Sequence, residues 1–194
     1  IGAKGLRLLV RAWAEAGAIA YGQASGWSWQ KAVDLRDLEL PDLGTLWLPL
    51  FEALPEQGRE LIRHIHSLGG QVDLTQLVEL PGAPYSRLIQ GRLVEEGWLR
   101  SRARALHLQP SASRALHKGL VPLPSASRAE HRLYLTLLKL HSETRESEEA
   151  KALHLEALGE HREAAEVWSA LAQAAEQTLE PGRAGQALRR AAEA

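Results

Sequence analysis

Between Arg87 and Lys118 the chain sets seven cations, Arg87, Arg92, Arg100, Arg102, Arg104, Arg114 and Lys118, against two carboxylates, Glu95 and Glu96. A local excess of guanidinium groups neutralises phosphates, so the chemistry on offer is the binding of a polyanionic backbone. Ser86, Arg87, Gln90 and Gly91 stand at the start of this stretch, and on a helix they would face the major groove of duplex DNA. Glu95 and Glu96, on the same helix, weigh against that use. The plainer account is a solvated, arginine-rich surface.

The sign reverses between Glu143 and Glu166, where eight Glu stand against Arg145, Lys151 and Arg162. Such a run is ordinarily the wet outer face of paired helices. A sharper reading has it dock on the basic stretch and mask it, within or between chains. The histidines offer little: His64 and His66 do not share a helical face, and His154 and His161 are not in an H-E-x-x-H frame. Cysteine is absent, no serine stands in a G-x-S-x-G elbow, and Asp34, Asp37, Asp42 and Asp73 read as caps or connectors. The expectation is a non-enzymatic chain with neither metal nor cofactor.

The elements that must carry the basic residues follow from periodicity. Glu56 to Leu68 puts Leu61, Ile62, Ile65 and Leu68 on one helical stripe, closed by Gly69 and Gly70. A second short helix is expected from Asp73 as N-cap, with Leu74, Leu77, Val78 and Leu80 on one side, ending at Pro81-Gly82. A third runs from Ser86 to Gly97 with Leu88, Ile89, Leu93 and Val94 apolar. From Trp98 to Leu108 the spacing turns to alternation, as two strands joined around Ser101 to Arg104 require. Three helices and a hairpin make a winged helix-turn-helix, expected over residues 55–110, with the basic residues on its third helix and wing.

Residues 1–54 read as a helical arm with a small hairpin. Lys4 to Ala16 forms its first helix, and Ala18 to Trp29 turns at Ala24-Ser25-Gly26 to bury Ile19, Tyr21, Trp27 and Trp29. Asp34 to Pro41 is a connector. Leu43, Leu46, Trp47, Leu50 and Leu54 then recur at helical spacing, with Pro49 expected to kink or shorten the helix. Residues 111–194 read as helix after helix: Ser113 to Leu120, Ala129 to His141, Glu148 to Leu158, Arg162 to Thr178 and Arg183 to Ala194. Within them Gly159, His161, Ala164 and Trp168 resemble a tetratricopeptide unit: a small residue at the turn, a ring, a small residue at the crossing, and a large aromatic.

Composition agrees with a mainly α protein. The chain has 194 residues, 45% hydrophobic and dominated by Leu and Ala, with three Tyr and one Phe. A net charge of −1 excludes nucleic-acid binding by bulk charge and leaves only a local patch. No apolar run approaches the roughly 18 residues of a membrane span, so a cytoplasmic chain with no membrane partner is expected. The six Trp fall on faces expected to be buried. A chain that starts at Ile1 and contains no Met reads as a piece of a longer polypeptide.

The order of elements carries a family resemblance. Gly2-Ala3-Lys4-Gly5-Leu6, the helix ending Trp13 to Gly17, the Trp-bearing hairpin, Leu40-Pro41-Asp42 and the run from Leu54-Pro55-Glu56 to Ile62 are its first part. Glu95-Glu96-Gly97-Trp98-Leu99 and the helix from Arg128 to Leu140 complete it. Together they resemble the segment that follows the ATPase core in bacterial signal-transduction ATPases with numerous domains (STAND-type), the group of the large maltose-activator-like transcription regulators. The resemblance implies a helical lid, a winged helix and a superhelix of tetratricopeptide-like hairpins, with a role in signal relay. Two departures stand out: the family shows Gly-Asn-Pro at Gly2-Ala3-Lys4, and G-x-x-x-x-G-K-[ST] is absent, so ATP cannot be held that way here. The expected function is a non-catalytic regulatory arm that contacts a protein partner or other domains of a longer chain. The alternative is a transcription regulator that binds duplex DNA through Ser86, Arg87, Gln90 and Arg92 on the third helix and Arg100, Arg102 and Arg104 on the wing.

Overall fold

A computed structural model describes Val10, Trp13, Ala14 and residues 19–22, 26–29, 43–121, 123, 125–140 and 144–194. Over these residues the chain is mainly helical, with a two-stranded and a three-stranded antiparallel sheet. Most of the expected first helix and the Asp34 to Pro41 connector lie outside the described residues. Strands β1 (Ile19–Gly22) and β2 (Gly26–Trp29) form the small hairpin, with Ile19 opposite Trp29. Ile19 is buried, but Tyr21 is 64% exposed, so it is not among the residues the hairpin covers.

Helix α1 (Leu43–Glu52) passes through Pro49 and ends within a turn of it, as the missing N–H favours. Its Trp47 and Phe51 meet the fully buried Trp98 at ring-centroid distances of 4.5 and 5.9 Å. Tilted and edge-on aromatic contacts of this kind add about 1 kcal/mol each to the area they bury. Helix α2 (Glu56–Ser67) buries Leu61, Ile62, His64 and Ile65 on one face. Gly69 and Gly70 both take left-handed φ (+75° and +87°) and send Gln71–Asp73 back as strand β3.

Here the structure departs from the expected helix at Asp73. Val72 and Asp73 pair with Leu106 and Ala105 of a later strand, β5 (Ala105–Leu108), so the backbone at Asp73 is extended rather than helical. The Asp73 carboxylate instead accepts from the Thr75 amide and hydroxyl, both at 2.8 Å, which closes a local turn. Only a 3₁₀ turn, Gln76–Val78, follows; Leu77 and Leu80 are buried, while Leu74 and Val78 are exposed. Helix α3 (Arg87–Glu95) then packs against strand β4 (Leu99–Arg102), which pairs with β5 (Ala105–Leu108) in the order β3-β5-β4. Leu93 is the inward residue of α3. Leu88 lies five positions away, about 140° round the helix, and is 81% exposed; Val94, expected inside, also reaches solvent.

Helix α4 (Pro110–His117) leads to the tail: α5 (Arg128–Leu138), α6 (Arg145–Leu158), α7 (His161–Gln177) and α8 (Pro181–Glu193). Ser127 and Thr144 start α5 and α6 with reciprocal capping boxes. One apolar core runs from Trp47 through Leu61, Trp98 and Leu116 to Tyr134 and Leu137, so packing is continuous across Leu54 and Pro110. A second, smaller cluster of Ala152, Trp168, Leu171, Ala172 and Ala187 holds α6, α7 and α8 together. Among the described residues no helix is long and apolar enough to cross a membrane.

Candidate functional site

The basic residues are displayed on α3 and on the β4–β5 hairpin. Ser86 caps α3, its Oγ accepting from the Ile89 amide at 3.2 Å. Arg87 and Gly91 are exposed. Gln90 is half-buried and gives its amide to the Tyr85 carbonyl at 2.8 Å, so that group is already engaged at home. Arg92 pairs with Glu96 one turn along, at 3.0 Å. On the hairpin, Arg100 Nε donates to Gln109 Oε1, whereas Arg102 and Arg104 project into solvent around a turn in which Ala103 takes φ +53°. The Arg104 carbonyl accepts from the Leu74 amide at 2.8 Å, tying the tip of the hairpin to the turn after β3.

Among the described residues no carboxylate of the acidic run pairs with these cations. Four of the run's carboxylates pair inside the tail: Glu149 with Arg145, Glu148 with Lys151, Glu166 with Arg162, and Glu156 with Arg190. The helical hairpin there is built on Gly159, which ends α6 at φ +82°. Ala164 is fully buried, and Trp168 is buried and donates its indole N–H to Glu156 at 2.6 Å. His161 is exposed on the first turn of α7, so it is not a ring filling the hairpin.

The most polar buried region joins α2 to α5 and α6, across residues far apart in sequence and so outside the reach of spacing along single helices. His64 is fully buried with Nδ1 2.6 Å from the Tyr134 hydroxyl, across 70 residues of sequence. His154 donates Nε2–H to the Ser67 carbonyl at 2.7 Å, stacks on Tyr134 with centroids 5.0 Å apart, and meets His131 through the two Nδ1 atoms at 2.8 Å. Arg63 pairs with Glu130 at 2.7 Å. Gln76 gives its amide to the Leu137 carbonyl at 3.3 Å.

Burial sets the protonation of this seam. It lowers His64 to about 4, helped by Arg63. It lowers His66 to about 4 with help from His117 and His154, and His154 to about 4 against the opposing Ser67 bond. Burial raises Glu130, yet the Ser127 amide and hydroxyl and Arg63 outweigh it and hold the carboxyl at about 2. Burial pushes the Tyr134 phenol up to about 12. The seam therefore holds neutral imidazoles at His64, His66 and His154, a neutral phenol at Tyr134 and one internal ion pair, an arrangement suited to locking α2 onto α5 and α6. Among the described residues no group of three or more His, Asp or Glu is placed to hold a metal ion. No family model, curated protein or solved structure matches the chain.

Proposed function

We propose that this chain is a non-catalytic regulatory arm: a winged helix carrying a tetratricopeptide-like tail, which relays a signal or holds a protein partner as the arms of multidomain ATPase regulators do. The order α2, β3, a 3₁₀ turn, α3 and the β4–β5 hairpin fits a winged helix whose second helix has shrunk to a single turn. The observation that carries the reading is the seam. His64–Tyr134, His154–Ser67 and Arg63–Glu130 each join α2 to a tail helix, so displacement of one unit must be felt by the other. Native-state hydrogen exchange tests it: α2 and α6 amides are expected to open with one shared free energy, and Tyr134→Phe to lower both. Independent opening of α6, unaffected by the variant, refutes the relay.

A second reading, a DNA-binding transcription regulator, is favoured by the exposure of Arg87, Arg102 and Arg104 on α3 and the hairpin. Fluorescence anisotropy with random duplex DNA over a salt series tests it, beside a variant with Arg100, Arg102 and Arg104 changed to Ala. Binding that strengthens steeply as salt falls, and fades in the variant, supports a phosphate clamp. Absence of binding at low salt rejects it and leaves protein contact as the role of this face.

A further inference from the structure

The helices of the tail alternate in direction. Arg145 at the start of α6 meets Glu180 at the start of α8 at 2.7 Å, and Arg190 near the end of α8 meets Glu156 near the end of α6 at 3.4 Å. Helices α6 and α8 therefore run parallel, with α7 returning between them. Their starts flank a groove of about 430 Å³ floored by Val167, Leu171 and Ala174 of α7. Its rim holds two cations, Arg145 and Arg183, and two carboxylates, Glu148 and Glu180. Both arginines bond Glu180, and Lys151 meets Glu148, so an apolar floor lies inside a balanced rim.

At this rim α7 ends on a leucine where the other helices use glycine. The Leu179 amide donates to the Glu176 carbonyl at 3.1 Å and the Glu180 amide to the Ala175 carbonyl at 2.9 Å, a closure that holds Leu179 at a left-handed φ of +58°. Helices α2, α3, α4 and α6 close with the same pair of bonds, and there the residue is Gly69, Gly97, Gly119 or Gly159. A β-carbon in that conformation is strained. Leu179 is also 87% exposed, more than any other large hydrophobic among the described residues, and it does not line its own groove. The monomer gains nothing from a side chain that is strained in its backbone and unpacked in solvent.

We propose that Leu179 seats in the groove of a second copy of this chain, and that the two copies form a two-fold dimer. Thr178 and Glu180, on either side of Leu179, both line the groove, so knob and hole are adjacent on one rim. A two-fold axis through that rim brings each leucine to the other copy's apolar floor. The same operation sets a rim of two cations and two carboxylates against an identical one, whereas a strongly acidic or basic partner would meet like charge on half of it. Leu140, 69% exposed, stands at the same end of the tail: Arg128 at the start of α5 bonds the Leu158 carbonyl at the end of α6, so α5 runs antiparallel to α6. It widens the apolar surface there. The inference stands whether the chain relays a signal or meets DNA. Interfaces of about 1,600 Å² start at micromolar affinity, and one knob and one groove per copy make a smaller contact, so a dissociation constant on the order of 100 μM is expected.

Sedimentation equilibrium of the full chain from about 10 μM to about 1 mM should show monomer passing to dimer and stopping there. Leu179→Gly removes the knob and the left-handed strain together, so it should melt no lower than the wild type while raising the dissociation constant at least about tenfold. Ala174→Trp, at an exposed position of the floor, fills the hole and should weaken association as much. Mixed in equal amounts, the two variants should form a heterodimer, because the knob of one finds the open groove of the other and the indole faces the space the leucine vacated. Growth past the dimer, Leu179→Gly associating as the wild type does, or failure of the mixture to associate overturns the proposal. Association lost at about 0.5 M salt points instead to the basic face of α3 and overturns it as well. A chain monomeric throughout does the same and leaves the groove to an unlike partner.

Discussion

Acidification is expected to strike this fold at the seam before it reaches the carboxylates. His64, His66 and His154 are each held at about 4, against an ordinary 6.5. As pH falls below 6.5 the unfolded chain takes up these protons while the folded chain refuses them until about 4. Stability is therefore complete above 6.5, lost through the window from 6.5 to 4, and constant in this respect below it. One such histidine costs about 2 kcal/mol by about pH 5 and about 3 by about pH 4. The three are not independent, because Tyr134 bonds His64 and stacks on His154, and His66 lies in the field of His154. A joint loss of about 4–6 kcal/mol by about pH 5 is expected, a large share of the stability of a typical domain. Glu130, held at about 2, weakens the fold only below its ordinary 4.5 and so leaves the upper window to the histidines. Urea denaturation from about pH 7 to about pH 5, with the midpoint converted at constant slope, measures the loss. His64→Gln, which keeps a hydrogen-bonding group toward Tyr134, should reduce the pH dependence by up to one proton. A midpoint that stays flat between about pH 7 and about pH 5, or a variant with the wild-type slope, refutes the reasoning.

Other substitutions probe separate joints. Gly69→Ala would place a methyl 2.7–2.8 Å from the backbone of Glu146 and Ser147 at φ +75°, so thermal melting should show a loss above about 2 kcal/mol. Glu130→Gln removes the charge that faces Arg63 while keeping a side chain able to cap Ser127; a loss of about 1–2 kcal/mol in urea denaturation is expected. Trp168→Ala should cost about 3–5 kcal/mol within the tail, releasing exchange in α7 and α8 while α3 and β4 keep their protection. Leu88→Glu, at an 81% exposed position, should leave stability within about 0.5 kcal/mol.

Much of the framework is readable from local pattern because local physics builds it. The stripe of Leu61, Ile62 and Ile65, the stops at Gly69 and Gly70, and the change to alternation after Trp98 each act within one element, and α2 and the β4–β5 hairpin stand where those signals put them. Strand β3 is different. Three residues, Gln71-Val72-Asp73, show no usable alternation, and they are extended because β5 offers a partner edge more than thirty residues later. The misassigned face of α3 has a related cause: Leu88, Ile89, Leu93 and Val94 suit two stripes, and only contact with the rest of the core selects the one through Leu93. The histidines are not legible from spacing along single helices. His64, His131 and His154 become neighbours only when α2, α5 and α6 pack.

A seam made of leucine and alanine alone would bury area with little preference for register, since one turn of a helix resembles the next. The bonds observed here remove that freedom. His64 can meet the Tyr134 hydroxyl, and His154 the Ser67 carbonyl, in one relative position of α2, α5 and α6, and a slide by a turn would strand both imidazoles without partners. Each stranded buried group costs about 1–3 kcal/mol, so alternative dockings are disfavoured more strongly than the net strength of these bonds would imply. Gly69 acts in the same direction, because the close approach of the α6 N-terminus exists only where no side chain intervenes. For a chain proposed to relay displacement, such polarity is the useful property: it sets one geometry, and it makes departure from that geometry a discrete, cooperative event.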